Sequence, residues 1–161
     1  MYERKFTGRN CPTGYVTAAD IAKLMRADIK AAIKAGTLPG TARNYSVKID
    51  NFSGGRSIDI TAIDLDGMWT TCPGQAKTGC NHWDCSRGRT ARVLTAKGLK
   101  VEKAIKDIHS SYNYDASEAQ VDYFNVNFYG SAKVEDEWHA DFRRSEKARR
   151  EARKAAKLVA A

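Results

Sequence analysis

The 161-residue sequence has no run of about 20 consecutive apolar residues, the length that a membrane-spanning helix requires. Its first residues, Met1 to Phe6, also lack the apolar stretch of a secretory signal. We therefore expect a soluble, cytoplasmic protein without a membrane span. Cysteine is scarce, and four cysteines in a chain of this kind favour free thiols or metal ligands over a disulfide framework.

Catalytic signatures are missing as well. The three histidines, His82, His109 and His139, are far apart in the sequence, and no Ser/His/Asp or Cys/His arrangement accompanies them. The pair Gly54-Gly55 lacks the following Lys-Ser/Thr of a phosphate-binding loop and precedes a predicted strand instead of a helix. The sequence therefore predicts a protein that is not an enzyme and that has no nucleotide site of a known motif.

Basic residues, in contrast, are concentrated in two segments. Residues 143–161 carry eight Lys/Arg and two Asp/Glu, and residues 86–106 carry seven and one, so each segment has a charge of +6 in a chain of net charge +8. Charge clustered in this way creates a positive potential that attracts polyanions. We predict nonspecific binding of DNA or RNA through phosphates, by Arg143, Arg144, Lys147, Arg149, Arg150, Arg153, Lys154, Lys157, Arg87, Arg89 and Arg92. The alternative is a solvated terminal helix that serves only solubility.

Hydrophobic periodicity predicts an α+β domain. A capping pattern at Thr17 to Asp20 starts a helix at Ala18, and Gly36 ends it. Alternating apolar residues from Tyr45 to Ala62 indicate a hairpin, a second helix begins at about Lys97, and a strand follows at Val121 to Tyr129. The predicted fold is a small antiparallel sheet packed by two helices, in the order α-β-β-α-β.

Three regions follow from this pattern. Residues 1–16 form an irregular N-terminal arm or an edge strand, and residues 17–130 form the α+β domain, with a cysteine-bearing insertion at about 69–94. Residues 131–161 form a C-terminal helix with a basic end, since no Gly or Pro occurs from Ala132 onward. Val134, Trp138 and Phe142 recur at four-residue steps, and we expect this stripe to pack the first half of the helix on the sheet.

The insertion contains a candidate metal site. Cys72, Cys80, His82 and Cys85 follow the pattern C-x7-C-x-H-x2-C, which brings four soft or borderline ligands into one short segment. Tetrahedral zinc would order such a segment, whereas the alternative is a set of loop thiols. A zinc deaminase is excluded, because Asp84 replaces the glutamate of its H-x-E motif and no C-x-x-C follows.

Several separated stretches resemble a known family. They are Ala19-Asp-Ile-Ala-Lys-Leu-Met-Arg-Ala-Asp-Ile-Lys30, Tyr45-Ser-Val-Lys48, Ser53-Gly-Gly-Arg-Ser-Ile-Asp-Ile60, Ser111-Tyr-Asn-Tyr-Asp115 and Asp122-Tyr-Phe-Asn-Val-Asn-Phe-Tyr129. Together they resemble one of the large polyvalent protein-associated domains of phage and conjugative-element proteins. The resemblance implies an actinobacteriophage-like accessory protein that acts in the host bacterial cytoplasm, and it implies no catalytic residue.

Aromatic residues offer two further hypotheses. A face of tyrosines and asparagines at the end of the domain can stack bases, although packing within the protein is the commoner role of such residues: Tyr112, Tyr114, Tyr123, Tyr129, Asn113, Asn125 and Asn127. The second hypothesis is an effector that binds and modulates a host bacterial protein. Its anchors would be Trp69, Trp83 and Trp138, of which Trp138 is the one we expect to lie in the core.

Overall fold

The computed structural model describes residues 6–74, 80, 83–87, 90–117 and 125–159. These residues form seven strands and four α-helices, with one 3₁₀ turn at Ala42–Asn44. In chain order the elements are β1 (Phe6–Thr7), α1 (Ala18–Lys34), β2 (Tyr45–Phe52), β3 (Gly55–Ala62), β4 (Trp69–Thr71), α2 (Trp83–Ser86), β5 (Arg92–Leu94), α3 (Ala96–Ser111), β6 (Tyr114–Asp115), β7 (Ala132–Val134) and α4 (Glu137–Val159). The predicted α+β class and the long C-terminal helix are confirmed.

Helix α1 begins and ends where its sequence signals predict. The Thr17 hydroxyl accepts a hydrogen bond from the Asp20 backbone N–H, which satisfies one of the free donors at the helix start. The last helical residue is Lys34, and Gly36 adopts the left-handed conformation that terminates helices. The helix buries its apolar face, formed by Ala18, Ile21, Ala22, Met25 and Ile29, in the core.

The core lies between this helix, α3 and one face of a three-stranded sheet. Strands β2 and β3 form the predicted antiparallel hairpin, and β7 pairs parallel to the other edge of β3. Side chains alternate along these strands, so that one face is buried against the two helices and the opposite face carries polar residues. The buried positions of the sheet are Tyr45, Val47, Ile58, Ile60, Ala62, Ala132 and Val134.

The third strand lies later in the chain than the sequence pattern predicted. Part of the predicted strand Val121 to Tyr129 falls outside the described residues, and residues 125–129 form only single bridges at Val126 and Tyr129. The next residue, Gly130, has a φ of 126°, and a Cβ there would lie 2.1 Å from the Ile58 carbonyl oxygen. This close approach places β7 beside β3.

The start of the C-terminal helix is therefore corrected. Residues Ala132–Val134 are strand, and α4 begins at Glu137 instead of about Ala132. Pairing with β3 buries Ala132 and Val134, which outweighs the helical preference of the following charged sequence. The N-terminal arm also has a short regular part, because β1 pairs antiparallel with β6.

A buried histidine joins α3 to the central strand. The His109 Nε2–H donates to the Ile58 carbonyl oxygen at 2.8 Å, and the imidazole meets the Phe128 ring edge-on at 5.0 Å between centroids. Burial lowers the pKa of His109 below its ordinary value, against the opposing effects of the Ile58 carbonyl and Asp59. The neutral imidazole is thus the form that the fold stabilises.

We predict that the free energy of unfolding falls as the pH decreases below the ordinary histidine pKa of 6.5. The unfolded chain takes up this proton first, because the pKa of His109 is lower in the folded protein. Substitution His109→Gln keeps an N–H donor for Ile58 and should flatten this slope. Urea unfolding between pH 7 and about pH 5, above most carboxylate titrations, measures the difference. Equal slopes in the two proteins would contradict the prediction.

Candidate metal centre and basic helix

Two antiparallel strands, β4 and β5, connect the cysteine-bearing insertion to the domain, and we call this pair of strands the neck. Trp69 pairs with Leu94 at the domain end of the neck. At the other end, after the last strand pair, the Cys72 N–H donates to the Ala91 carbonyl oxygen at 2.9 Å. The Trp69 indole N–H also donates to the Glu135 carbonyl oxygen at 2.9 Å. The neck is thereby joined to the segment that leads into α4.

Three cysteine side chains converge at the end of the neck. The Sγ atoms of Cys72, Cys80 and Cys85 all lie within 4.8 Å of one another. Cys72 Sγ and Cys80 Sγ are 3.8 Å apart, far beyond a disulfide bond of about 2.05 Å. Thiolates on one tetrahedral zinc ion, with Zn–S bonds of about 2.3 Å, also lie about 3.8 Å apart. The cysteine centre, as we call these three residues, could hold a metal ion.

Close packing of the loop creates this geometry. A Cβ at Gly74 would lie 2.8 Å from Cys80 Sγ, so only glycine after Cys72-Pro73 allows the sulfur to approach. The pKa of Cys85 is raised to about 12, first by burial and then by hydrogen bonds and charge interactions with Cys80 and Cys72. A raised pKa keeps the Cys85 thiol protonated, whereas a cation bound among the three sulfurs would favour the thiolates.

The structure brings together three of the four predicted ligands. His82 lies outside the described residues, so its position relative to the sulfurs is not part of this geometry. Cys11, the remaining cysteine, is no member of the group found among the described residues. The turn Cys72-Pro73-Gly74 is the sequence signal that we overlooked, since a glycine two residues after a ligand permits close approach of another.

Helix α4 is held to the domain by an arginine. Arg143 donates from Nε to Glu135 Oε1 at 2.8 Å and from Nη2 to Glu135 Oε2 at 2.9 Å, which is a bidentate pair. It also donates to Asp64 Oδ1 at 2.7 Å. These contacts raise the pKa of Arg143, and the hydrogen bond from Arg143 lowers the pKa of Asp64. Arg143, predicted as a phosphate contact, thus has a structural role.

The first half of α4 does not pack through its aromatic residues. Trp138 is 70% exposed and Phe142 is 57% exposed, and their rings stack on each other at 6.0 Å between centroids. The expectation that Trp138 and Phe142 face the sheet is wrong. Val134 belongs to β7, so it does not share a helix face with Trp138 and Phe142, which point away from the sheet. The half-buried side of α4 consists of Ala140, Arg143 and Glu146.

The predicted phosphate contacts fall into groups with different surroundings. Arg144 pairs with Asp141, Arg149 with Glu146, Lys147 with Glu151, and Arg92 with Glu137. Within the described residues, Arg150, Arg153 and Lys154 are exposed and have no carboxylate partner. Arg87 is exposed and engaged in a contact, whereas Arg89 and the Lys157 side chain lie outside the described part.

The aromatic and amide residues near the end of the domain mainly hold the fold. Tyr112 is buried and donates to Asp28 at 2.7 Å, while Asn113 Oδ1 accepts the backbone N–H groups of three residues, Tyr114, Asn127 and Phe128. The Tyr129 ring packs against Phe52, and Tyr123 lies outside the described residues. Tyr112 and Asn113 therefore have the role within the fold that is the commoner one for such residues, and not base stacking.

Comparisons with known proteins found no match. No family model matches the chain, and no curated protein or solved structure does. Among the described residues, no helix combines the length and apolar character needed to cross a membrane. Any function must therefore be argued from the cysteine centre and from the surfaces of the domain and of α4.

We predict that Arg143→Ala lowers the free energy of unfolding by about 1–3 kcal/mol, because the shielded Glu135 carboxylate loses its charged donor. Arg144→Ala is the matched control on the same helix and should cost less than about 0.5 kcal/mol, since its pair with Asp141 is exposed. Urea denaturation of both variants tests this expectation. Similar losses in the two variants would show that the bidentate pair contributes nothing beyond a surface contact.

Proposed function

We propose that this chain is a non-enzymatic bacteriophage accessory protein that binds nucleic acid, largely nonspecifically, in the host bacterial cytoplasm. The resemblance to a phage-associated domain supports the origin. The observation that carries the binding function is the group of exposed, unpaired cations on α4, formed by Arg150, Arg153 and Lys154. We call this group the basic face.

The helix geometry suits a polyanion. Residues three and four positions apart lie on one side of an α-helix, so Arg150, Arg153 and Lys154 project in similar directions, and the helix position of Lys157 continues the row. At 1.5 Å per residue, the 23 residues of α4 extend about 35 Å, and the half-buried positions end at Glu146. The basic face therefore lies on the exposed part of the helix, where phosphates can reach it.

Phosphate contacts supply affinity and salt dependence without sequence choice. Each side chain that neutralises a phosphate in duplex DNA contributes a slope of about −0.9 to log K against log salt. The exposed cations are already free of protein carboxylates, so binding does not have to break an ion pair. The paired residues Arg144 and Arg149 would lose a protein contact in exchange.

We predict that the triple variant Arg150→Gln, Arg153→Gln and Lys154→Gln weakens binding to duplex DNA and single-stranded RNA. For each contact removed, the salt slope should flatten by about 0.9 with the duplex and by about 0.7 with the single strand. The matched control removes the same charge at carboxylate-paired positions: Arg144→Gln, Arg149→Gln and Lys103→Gln. Fluorescence anisotropy at low and physiological salt measures both. Equal losses would show that net charge alone matters, and no binding by the unmodified chain at low salt would refute the function.

We further propose that the cysteine centre binds zinc, with Cys72, Cys80 and Cys85 as ligands and His82 as the fourth ligand suggested by the sequence. The sulfur spacing and the clustering of thiols support this assignment. Zinc would cross-link the loop that the neck carries, where few apolar side chains are present to order it. A closed set of four protein ligands is typical of structural zinc and leaves no position for a substrate.

We predict that the chain binds one Co²⁺ or Zn²⁺ ion, with thiolate-to-cobalt absorption bands, and that Cys72→Ser or Cys85→Ser weakens binding by at least about tenfold. Cys11→Ser is the matched control and should retain the bands, because Cys11 is outside the cysteine centre. Chelation should lower Tm in the unmodified chain and in Cys11→Ser, and by less in the two ligand variants. Identical spectra for Cys11→Ser and Cys72→Ser would contradict the assignment.

A host-protein-binding effector is the second candidate function. The stacked, exposed pair Trp138 and Phe142 favours it, since tryptophan is enriched among the residues that dominate binding energy at interfaces. Trp69 is an unsuitable anchor because its indole N–H is bonded within the protein, and the Trp83 side chain lies outside the described residues. Binding through aromatic anchors should persist at salt concentrations that abolish phosphate binding.

A further inference from the structure

A second cationic site lies at the other end of β3 from the attachment of α4. Arg56 is the second residue of β3, and Ala62 is the last. At about 3.3 Å per residue these positions are about 20 Å apart, so Arg56 is well separated from the Arg143 ion pairs. The Arg56 side chain is half-buried and lines an open cavity of about 680 Å³.

Neutral oxygens hold the Arg56 guanidinium in place. Its Nε donates to the Asn127 carbonyl oxygen at 3.0 Å, its Nη2 donates to Asn127 Oδ1 at 2.6 Å, and its Nη1 donates to the Val16 carbonyl oxygen. A guanidinium has five N–H groups, so one remains on each terminal nitrogen. The side chain is thus oriented in advance and retains two donors for a ligand.

The cavity supplies no counter-charge to this arginine. Among the described residues that line it, Arg56 is the one charged side chain, and the others are small, polar or aromatic. No carboxylate of the described residues forms an ion pair with Arg56. A fixed, half-buried guanidinium with free N–H donors favours an anionic ligand. Partial burial removes water from the positive charge, and an anion would replace that lost hydration with charge-assisted hydrogen bonds.

Aromatic rings border the same cavity. The Tyr15 ring lies over the guanidinium, with Arg56 Cζ 5.4 Å from the ring centroid, although Tyr15 is 87% exposed. Tyr129 lines the cavity as well and is 39% exposed. The exposed Asn51 side chain adds an amide that can donate and accept. Such rings stack on nucleobases, and an amide can hydrogen-bond to a base edge.

We propose that this cavity binds a nucleoside phosphate, either free or as one unit of single-stranded nucleic acid. The phosphate is placed on the two remaining N–H groups of Arg56, and the base stacks on Tyr15. A cavity of about 680 Å³ is within the range of roughly 300–1,000 Å³ typical of sites for small ligands. The site is separate from the basic face, so it does not depend on binding by α4.

The test is a ¹H–¹⁵N NMR titration of the full chain with inorganic phosphate, each of the four common nucleoside monophosphates, and a short oligothymidylate. We expect shifts of the Tyr15, Gly55 and Arg56 signals, and an affinity for at least one monophosphate about tenfold higher than for inorganic phosphate, because stacking adds to the phosphate contact. Shifts with monophosphates alone would identify a free nucleotide as the source, and Tyr15-dependent shifts with the oligonucleotide would identify a strand.

Variants separate the contribution of stacking on Tyr15 from that of the phosphate contact with Arg56. Tyr15→Ala should remove the advantage of nucleotides over phosphate and leave the fold intact, because the side chain is exposed, whereas Tyr15→Phe should retain it. Phe142→Ala is the control for an exposed aromatic residue elsewhere, and the triple variant of the basic face should keep pocket binding unchanged. Equal affinity for phosphate and nucleotides, or no shift at Tyr15 and Arg56 with any probe, would overturn the proposal.

Discussion

The central position of β3 is the constraint on which the rest of the structure depends. This strand is hydrogen-bonded to β2 on one edge and to β7 on the other, and its apolar side chains are covered by α1 and α3. Ile58 alone receives the His109 imidazole and the close approach of Gly130. The Arg56 cavity and the basic face both depend on this strand. Arg56 lies at the start of β3, and Asp64, which binds Arg143 of α4, follows the end of β3.

Charge has two different roles in the molecule. Arg143 lies between Glu135 and Asp64, and the shielding of Glu135 makes this group a fixed joint between helix and domain. Exposed pairs such as Arg144 with Asp141 contribute little to stability, but they reduce the charge available to a partner. The distribution of carboxylates, more than the number of basic residues, therefore determines where a polyanion can bind.

Local signals predicted much of the fold, whereas contacts between distant residues did not follow from them. Thr17, Gly36 and the alternation in β2 and β3 act over a few residues, and the structure agrees with each. The four-residue spacing of Trp138 and Phe142 imitates a core stripe, but a strand interrupts it at Val134. The cysteine spacing indicated the metal centre, while the contact of Arg56 with Asn127, 71 residues away, has no signature in sequence.

The parallel pairing of β3 with β7 also determines when the domain can be completed during synthesis. Ser131 hydrogen-bonds to Asp59, 72 residues earlier. The edge of β3 that pairs with β7 therefore stays unpaired until this late segment has been synthesised. Contacts of such long range slow folding and leave strand edges open to other chains. Glu135 follows β7 directly and Arg143 lies eight residues later, so the pair that anchors α4 consists of residues made after the last strand of the sheet.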